Sequence, residues 1–496
     1  MRLATILFPL LNCLSLVASK NIILVVTDDQ DSTLDGMTPM INTRDLIGRR
    51  GATFTNCFVA SPICCPNRAS ILTGRYQHNH LTVNNSIAGG CSSERWQKLR
   101  EPVTFGALLR NVGYRTFYAG KYLNEYGSKR VGGAAHVPIG WDWWAGLVGN
   151  SKYYNYSLSI NGTERKYGNE PTDYLTDVIS NLAADFVKSN SNDRPFLMVL
   201  APPAPHAPFT PADRHNDKYN GTKAKRTPNF NVHVHQDKHW LVRKGPCPLP
   251  DDVLPKLDEI YRKRWETLLA VDELVKTVHT LLREQNLLSD TYFIYTSDNG
   301  YHIGQFSMPM DKRQPYETDI RVPLLMSGPG IDPSTILTPV SSVDIFATLL
   351  DIAGVKHPSD GTSLFRRKRN LPQDRTVLIE YRGERSKKAP SSGCPSDVDP
   401  NVTLCVKEMA CKCQDAANNT FTCIRRVSPD SNDIFCIFED NQRFIEAYDM
   451  NVDEYQIKNI GYVMKKETRH RFRKRLKKMS MCRGAECVTN FSQKKN

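Results

Sequence analysis

Beyond Val17 the sequence has no apolar run near the ~20 residues that a membrane-crossing helix needs. It has no long polar tract of the kind that keeps a chain disordered, and no internal repeat that would point to a solenoid. Acidic residues are in deficit: 52 Asp and Glu stand against 65 Lys and Arg, a formal net charge of +13. What remains is the composition of a globular protein. At 496 residues the chain is longer than one hydrophobic core grows, so two domains are expected, the first larger.

The N-terminus reads as a secretory signal over residues 1–19. Arg2 supplies the charge, an apolar stretch runs from Leu3 to Val17, and Val17-Ala18-Ser19 offers small residues for cleavage before Lys20. Cysteine usage agrees with an oxidising compartment. Removing Cys13 leaves 13 of the 14 cysteines, and setting Cys64 aside leaves an even set of 12 available for disulfides. Seven Asn-x-Ser/Thr sequons, at Asn84, Asn155, Asn161, Asn220, Asn401, Asn418 and Asn490, read as glycan sites.

The positive charge is concentrated. Lys465 to Lys478 holds nine Lys/Arg against one Glu, and Arg366 to Arg369 reads RRKR. Such clusters are either a solvated face or an attraction for polyanions, which in this compartment means sulfated glycans rather than nucleic acid. RRKR also has the form of a basic processing site.

Short apolar runs at 21–27, 114–120, 195–201 and 291–297, with a fifth at 323–330, read as buried strands. Amphipathic patterns at 103–113, 173–189 and 254–288 read as helices between them. Strands alternating with helices imply an α/β domain whose sheet is covered on both sides. After about residue 370 the texture changes. A strand at 375–383, a loop holding Cys394, Cys405, Cys411, Cys413 and Cys423, a hairpin at 434–450 and the basic helix predict a smaller, disulfide-stapled α+β domain. The expected division is 20–370 and 371–496.

Four of the strand runs lead into polar residues: Asp28-Asp29, Lys121, His206 and Asp298-Asn299. In a parallel sheet all carboxyl ends share one rim, where ligands bind. Asp28, Asp29, Asp298 and Asn299 are hard oxygen ligands suited to Ca²⁺ or Mg²⁺ rather than zinc, and crowded carboxylates need a neutralising cation. Taken singly, TDDQD could be a helix cap and His206 a core histidine. Converging on one rim, they make a metal site. Lys121, His206, Lys312 and Arg68 bring positive donors toward it, an arrangement suited to a tetrahedral oxyanion ester.

Cys64-Cys65-Pro66-Asn67-Arg68, followed by Leu72-Thr73-Gly74, resembles the signature of the sulfatase family, Cys-x-Pro-Ser/Ala-Arg and then Leu-Thr-Gly. Asn67 stands where the family has serine or alanine. Asn124, in GKYLNEYG, lies near where many members have a histidine. The resemblance extends along nearly the whole chain, through TDDQD, AGKYLNEYG and TSDNGYHIGQFSMPMDKRQPYE, and is nearest to members acting on 6-sulfated N-acetylglucosamine.

The resemblance implies an alkaline-phosphatase/sulfatase-like fold, a mixed, mostly parallel sheet between helices. It implies that Cys64 is oxidised during secretion, by the formylglycine-generating enzyme, to Cα-formylglycine, whose hydrate supplies the nucleophile beside a Ca²⁺ or Mg²⁺ ion. Asp28, Asp29, residue 64, Asp298 and Asn299 would hold that ion. Arg68 would hold the formylglycine, Lys121 and Lys312 the sulfate oxygens, and His206 the leaving oxygen. The implied substrate is the 6-O-sulfate of N-acetylglucosamine in heparan or keratan sulfate, met in the lysosome or outside the cell. Two other readings stay open from the residues: a relative acting inside heparan sulfate chains, and a catalytically silent binder of sulfated glycans.

Overall fold

The computed structural model describes residues 20–189, 194–365, 374–384, 402 and 405–488. The signal segment, RRKR, Cys394, Asn401 and Asn490 lie outside these residues. At the centre are four strands buried throughout, except for half-buried Arg115: β1 (Asn21–Thr27), β3 (Arg115–Gly120), β7 (Phe196–Ala201) and β8 (Thr291–Ser297). Burial on both faces explains why they read as unbroken apolar runs. β1 pairs in parallel with β7 and β8, and β3 in parallel with β7, so all four carboxyl ends lie on one edge.

Other strands extend this sheet on both sides: β2 (Ala52–Phe58), β4 (Trp143–Leu147), β5 (Ser157–Ile160), β6 (Thr163–Lys166), β9 (Arg321–Ser327), β10 (Ser334–Ile336) and β11 (Val340–Ser341). The order is β10-β2-β9-β8-β1-β7-β3-β4-β5-β6, with β11 beside β2. Two hydrophobic clusters take alternate residues of the central strands. Ile22, Leu24 and Val26 join one; Ile23 and Val25 join the other, with Leu268, Val271 and Leu274 of the long helix Leu254–Glu284. This is helix-on-both-faces packing.

The fifth apolar run forms β9, but β9 runs antiparallel to both β8 and β2. Residues 298–320 contain no crossover helix long enough to return to the far end of the sheet, so the chain re-enters from the edge it left. The sheet is therefore mixed.

The C-terminal strands β12 (Arg375–Tyr381), β13 (Phe421–Ser428), β14 (Ser431–Phe438) and β15 (Ile445–Asp449) form a separate antiparallel sheet. The basic helix, Lys466–Met479, packs on it through Phe472, Leu476 and Met479, with Phe472 stacked on Phe435. Val377, Ile379 and Tyr381 share a hydrophobic cluster with Phe58 and Ile345 of the larger part.

Disulfides join Cys65–Cys91, Cys405–Cys411, Cys423–Cys436 and Cys482–Cys487. Of the twelve cysteines counted as available for disulfides, Cys57 and Cys247 are free thiols, as Cys64 is. Cys57 is buried in the core of β2 and serves as a small hydrophobe, and Cys247 Sγ accepts the Val234 N–H at 3.2 Å. Counting cysteines could not separate a packed thiol from a paired one. Among the described sequons, Asn155, Asn161 and Asn220 are exposed, and Asn84 and Asn418 are half-buried.

His78 fastens the two sheets' surroundings together. Its Nδ1 meets the Glu380 carboxylate at 2.9 and 3.0 Å, and its Nε2 meets the Cys482 carbonyl at 2.9 Å. Acceptors face both ring nitrogens, which only the imidazolium satisfies. Burial pushes the His78 pKa down, but Glu380, the Cys482 carbonyl and Asp360 outweigh it, so the net direction is up. The contact is at full strength below the unfolded value of ~6.5 and is lost as pH rises through the higher folded value. Melting temperatures taken from about pH 5 to about pH 8.5 are expected to fall less steeply for His78→Gln than for the wild type; parallel profiles would show that the histidine carries no such linkage.

Candidate active site at the strand rim

The rim is assembled by backbone bonds before any side chain acts. Asp28 N–H donates to Ala204 O, Asp298 N–H to Thr27 O and Lys121 N–H to Ala201 O, which ties four strand ends at fixed spacing. Facing them is the helix Cys64–Thr73, every residue of which is buried. It ends at Gly74, whose φ of 63° is left-handed. A Cβ there would lie 2.5 Å from the Phe346 ring, so the glycine of the Leu-Thr-Gly signature is required on two counts.

Cys64 opens that helix at the centre of the rim, where the helix dipole favours negative charge. Its neighbour Cys65 is consumed in the disulfide to Cys91, while Cys64 stays free with Sγ 3.9 Å from Asp29 Oδ1. Burial pushes the Cys64 thiol up to about 12. As a cysteine it is a protonated, inert group, unsuited to act as a thiolate.

Around it three carboxylates alternate with three cations. Lys121 Nζ donates to Asp28 at 2.8 and 3.0 Å. Lys312 Nζ donates to Asp29 at 2.7 Å. Arg68 Nε donates to Asp298 at 2.7 Å and Nη1 to the Lys121 carbonyl at 2.7 Å. Burial pushes Asp28 up, yet Lys121, His206, Arg68 and Lys312 together hold it well below the usual carboxylate range. Asp298 goes the other way: burial, with Asp28 and Asp29 nearby, lifts it to about 7 against the pull of Arg68.

All the expected rim residues converge here. His206 is the most accessible of them, its side chain 14% exposed, with Nε2 3.8 Å from Asp29 Oδ2 and Nδ1 2.6 Å from the Ala207 carbonyl. The tautomer with the proton on Nδ1 leaves Nε2 turned to the site. Oxygen or sulfur atoms of Asp28, Asp29 and Cys64 and a ring nitrogen of His206 come within 4.8 Å of one another. Asn299 Nδ2 donates to Asp29 at 2.7 Å, and Asn299 Oδ1 is buried without a hydrogen bond; Arg68 Nη2 is also buried without one, its nearest carboxylate being Asp28 Oδ1 at 3.8 Å. A buried unpaired acceptor and a buried unpaired donor in one carboxylate cluster fit a hard cation and an oxyanion, respectively.

Sequence reasoning missed several members. Ser151 Oγ donates to Asp28 Oδ2. Arg264 Nη2 donates to the Asp29 carbonyl at 2.8 Å and to Asp31 at 3.1 Å, bracing Asp29 at its left-handed φ of 71°. The sign available for Arg264 was a charged residue on the apolar face of its helix; Ser151 offered none. Asn67 takes a structural place: Oδ1 accepts from Ala60 N–H at 2.9 Å and Ser342 Oγ at 2.6 Å, and Nδ2 donates to the Asp298 carbonyl. It links the helix of Cys64 to β8's end.

These features make a site whose carboxylates, cysteine and histidine could hold a metal ion, and the chain belongs to the sulfatase family: the Sulfatase family profile matches residues 20–355. It is 48% identical over 478 residues, 95% of this chain and 86% of the relative, to N-acetylglucosamine-6-sulfatase of Homo sapiens. It is 40% identical over 73% of its length to 52% of a putative extracellular sulfatase Sulf-1 homolog of Caenorhabditis elegans. A solved structure of a protein in complex with its substrate, D-glucosamine-2-N,6-O-disulfate, shares the fold at a TM-score of 0.73, with 23% identity, over 96% of this chain and 100% of that one.

Asn67→Ala is expected to lower stability by about 1–3 kcal/mol, because the Asp298 carbonyl is left buried without its donor. Denaturant unfolding of the variant checks this, and an unchanged midpoint would contradict it.

Proposed function

We propose that this chain hydrolyses sulfate monoesters, specifically the 6-O-sulfate of N-acetylglucosamine in heparan or keratan sulfate, within the secretory route in the lysosome or outside the cell. The observation that carries the reading is the free, buried Cys64 at the head of its helix, enclosed by three carboxylates and three cations. The identity to N-acetylglucosamine-6-sulfatase supports the choice of ester. Residues 20–370 would form the catalytic unit, and 371–496 a smaller domain against it.

Asp28, Asp29, Asp298, Asn299 and residue 64 would hold a Ca²⁺ or Mg²⁺ ion, which supplies charge neutralisation and lowers the pKa of the nucleophilic oxygen. Cα-formylglycine, made from Cys64 by the formylglycine-generating enzyme, supplies that oxygen as its hydrate. The chain's other residues do the positioning. Arg68, fixed between Asp298 and the Lys121 carbonyl, keeps Nη2 free of hydrogen bonds and 3.8 Å from Asp28, and would hold residue 64 and its oxygens. Lys121 and Lys312 present two ammonium groups to the non-bridging oxygens of the ester, where charge is already negative and redistributes in the transition state. His206 presents Nε2 to the site with Nδ1–H kept on the Ala207 carbonyl; protonated at Nε2 as the imidazolium, it would give that proton to the leaving alkoxide and return to the neutral Nδ1–H tautomer.

Protein from a secretory host should carry an aldehyde at position 64, read by mass spectrometry of the peptide Gly51 to Arg68. A thiol alone in protein from the native source would sink the enzyme reading. His206→Ala is expected to lower kcat by about 10²–10⁴-fold on the sugar ester. The loss should shrink on an aryl sulfate, whose phenolate leaves without a proton; equal losses would remove His206 from the leaving-group side. Chelation should abolish turnover, and Ca²⁺ or Mg²⁺ should restore it.

A further inference from the structure

The basic helix, Lys466–Met479, carries charge that the fold itself does not use. Its apolar side, formed by Phe472, Leu476 and Met479, packs on the C-terminal sheet. The cations flanking that side are matched within the chain. Arg475 has Asp374 and Asp433 beside it, and Arg469 donates to the Gly461 and Tyr462 carbonyls at 3.4 Å. The opposite side is different. Lys466, His470, Arg473, Lys474 and Lys477 fall at i, i+4, i+7, i+8 and i+11, a spacing that places them on one helical face. All five are exposed. At a helical rise of 1.5 Å per residue the stripe runs about 16 Å.

Nothing in the chain balances this stripe. Among the described residues, Lys466, Arg473, Lys474 and Lys477 have neither a hydrogen bond nor an ion pair, and Glu467 is the helix's one acidic residue. Arg473 and Lys477 repel at i, i+4, as do Lys474 and Lys478. Lys465 and Lys466 stand at the positive end of the helix dipole, with no side-chain cap. A helix tuned for its own stability has acids at that end and mixed signs along its outer face. An external polyanion lying along the stripe would relieve the repulsion. The stripe is also fixed in place. Just past the helix, the Cys482 carbonyl accepts from Asn79 Nδ2 at 2.9 Å, the Gly484 N–H donates to Asp360 Oδ1 at 2.7 Å, and a disulfide joins Cys482 to Cys487. Asn79 and Asp360 belong to the larger part, so the stripe is anchored there rather than carried on a loose tail.

From this pattern we propose that the outer face of the helix Lys466–Met479 is a docking surface for a sulfated polysaccharide chain, made of residues that take no part in the catalytic rim. A row of fixed cations matches a linear polymer that repeats sulfate and carboxylate groups along its length. Lysine ammonium groups act as point charges, so such a surface holds the polymer without selecting one sugar. A bilayer fits less well: a helix that lies on a membrane offers it an apolar face, and here that face is packed on the sheet. The choice of a sulfated glycan among polyanions rests on the sulfatase reading and its secretory route. The surface would keep the enzyme on a long chain while the rim acts on single ester groups.

Two variants of the full secreted protein separate the stripe from net charge. One combines Lys466→Gln, Arg473→Gln, Lys474→Gln and Lys477→Gln. The other removes four exposed cations elsewhere, with Lys166→Gln, Lys188→Gln, Lys223→Gln and Lys276→Gln. Affinity for heparin is measured at several salt concentrations, and affinity for phosphatidylserine vesicles beside it. The stripe variant is expected to bind heparin at least about tenfold more weakly than the wild type, with a shallower salt dependence, while the control variant stays within about twofold. Melting temperature should not fall in either, and kcat/KM on N-acetylglucosamine 6-sulfate should not change. Equal losses in the two variants, or no loss in either, would overturn the docking surface. Stripe-dependent binding to vesicles without binding to heparin would overturn it in favour of a bilayer. Stripe-dependent heparin binding by a protein without sulfatase activity would strike the proposed function and leave the docking surface standing.

Discussion

The structure depends on the cost of burying charge. Asp28, Asp29 and Asp298 are all essentially inaccessible, and three carboxylates in a low-dielectric site repel each other strongly unless opposite charge is placed among them. Lys121, Lys312 and Arg68 answer that demand from three different parts of the chain, each at hydrogen-bond distance. Breaking one such buried pair leaves an uncompensated charge, which is far more destabilising than the loss of a surface bridge. The sheet, the helix of Cys64 and the loop of Lys312 are therefore held in register by the same contacts that prepare the site for chemistry.

This constraint also explains why the rim is stiff. Arg264 reaches from the long helix to the Asp29 carbonyl, Ser151 closes on Asp28, and Asn67 ties the helix of Cys64 to the end of β8. Each tie removes a degree of freedom from a group that must sit within a fraction of an ångström of its position for ester transfer. The strained backbone at Asp29 is tolerated because so many bonds over-determine it. His206 is the most accessible of the group, its ring fixed by the adjacent Ala207 carbonyl and its Nε2 3.8 Å from Asp29, which suits a group that meets the departing alcohol.

Much of this was legible in the sequence because burial on both faces leaves a one-dimensional trace. The runs at 21–27, 114–120, 195–201 and 291–297 are unbroken and apolar, and the polar residues that follow them stand out against that background. The long helix, the C-terminal hairpin and the basic helix were legible for the same kind of reason, since a periodic apolar stripe survives in sequence. The direction of β9 was not, because the same apolar run serves a parallel or an antiparallel neighbour, and only the route of residues 298–320 distinguishes them. Nor was the state of Cys57 and Cys247: a thiol packed in a core and a half-cystine are the same letter.

By itself the sequence determined the chemistry on offer: hard oxygen ligands, cations at strand ends, and a signature cysteine followed by Pro66, Arg68 and Gly74. These are local facts of residue type and spacing, and no folding is needed to read them. The tertiary structure alone decided which partner Cys65 takes, because Cys65 can be consumed only where Cys91 comes within bonding reach. It alone decided that Lys121 faces Asp28 and Lys312 faces Asp29, and that Asn67 is a strut. Those are contacts between segments tens to hundreds of residues apart, and distance along the chain carries no information about distance in space until the sheet has set its strand order.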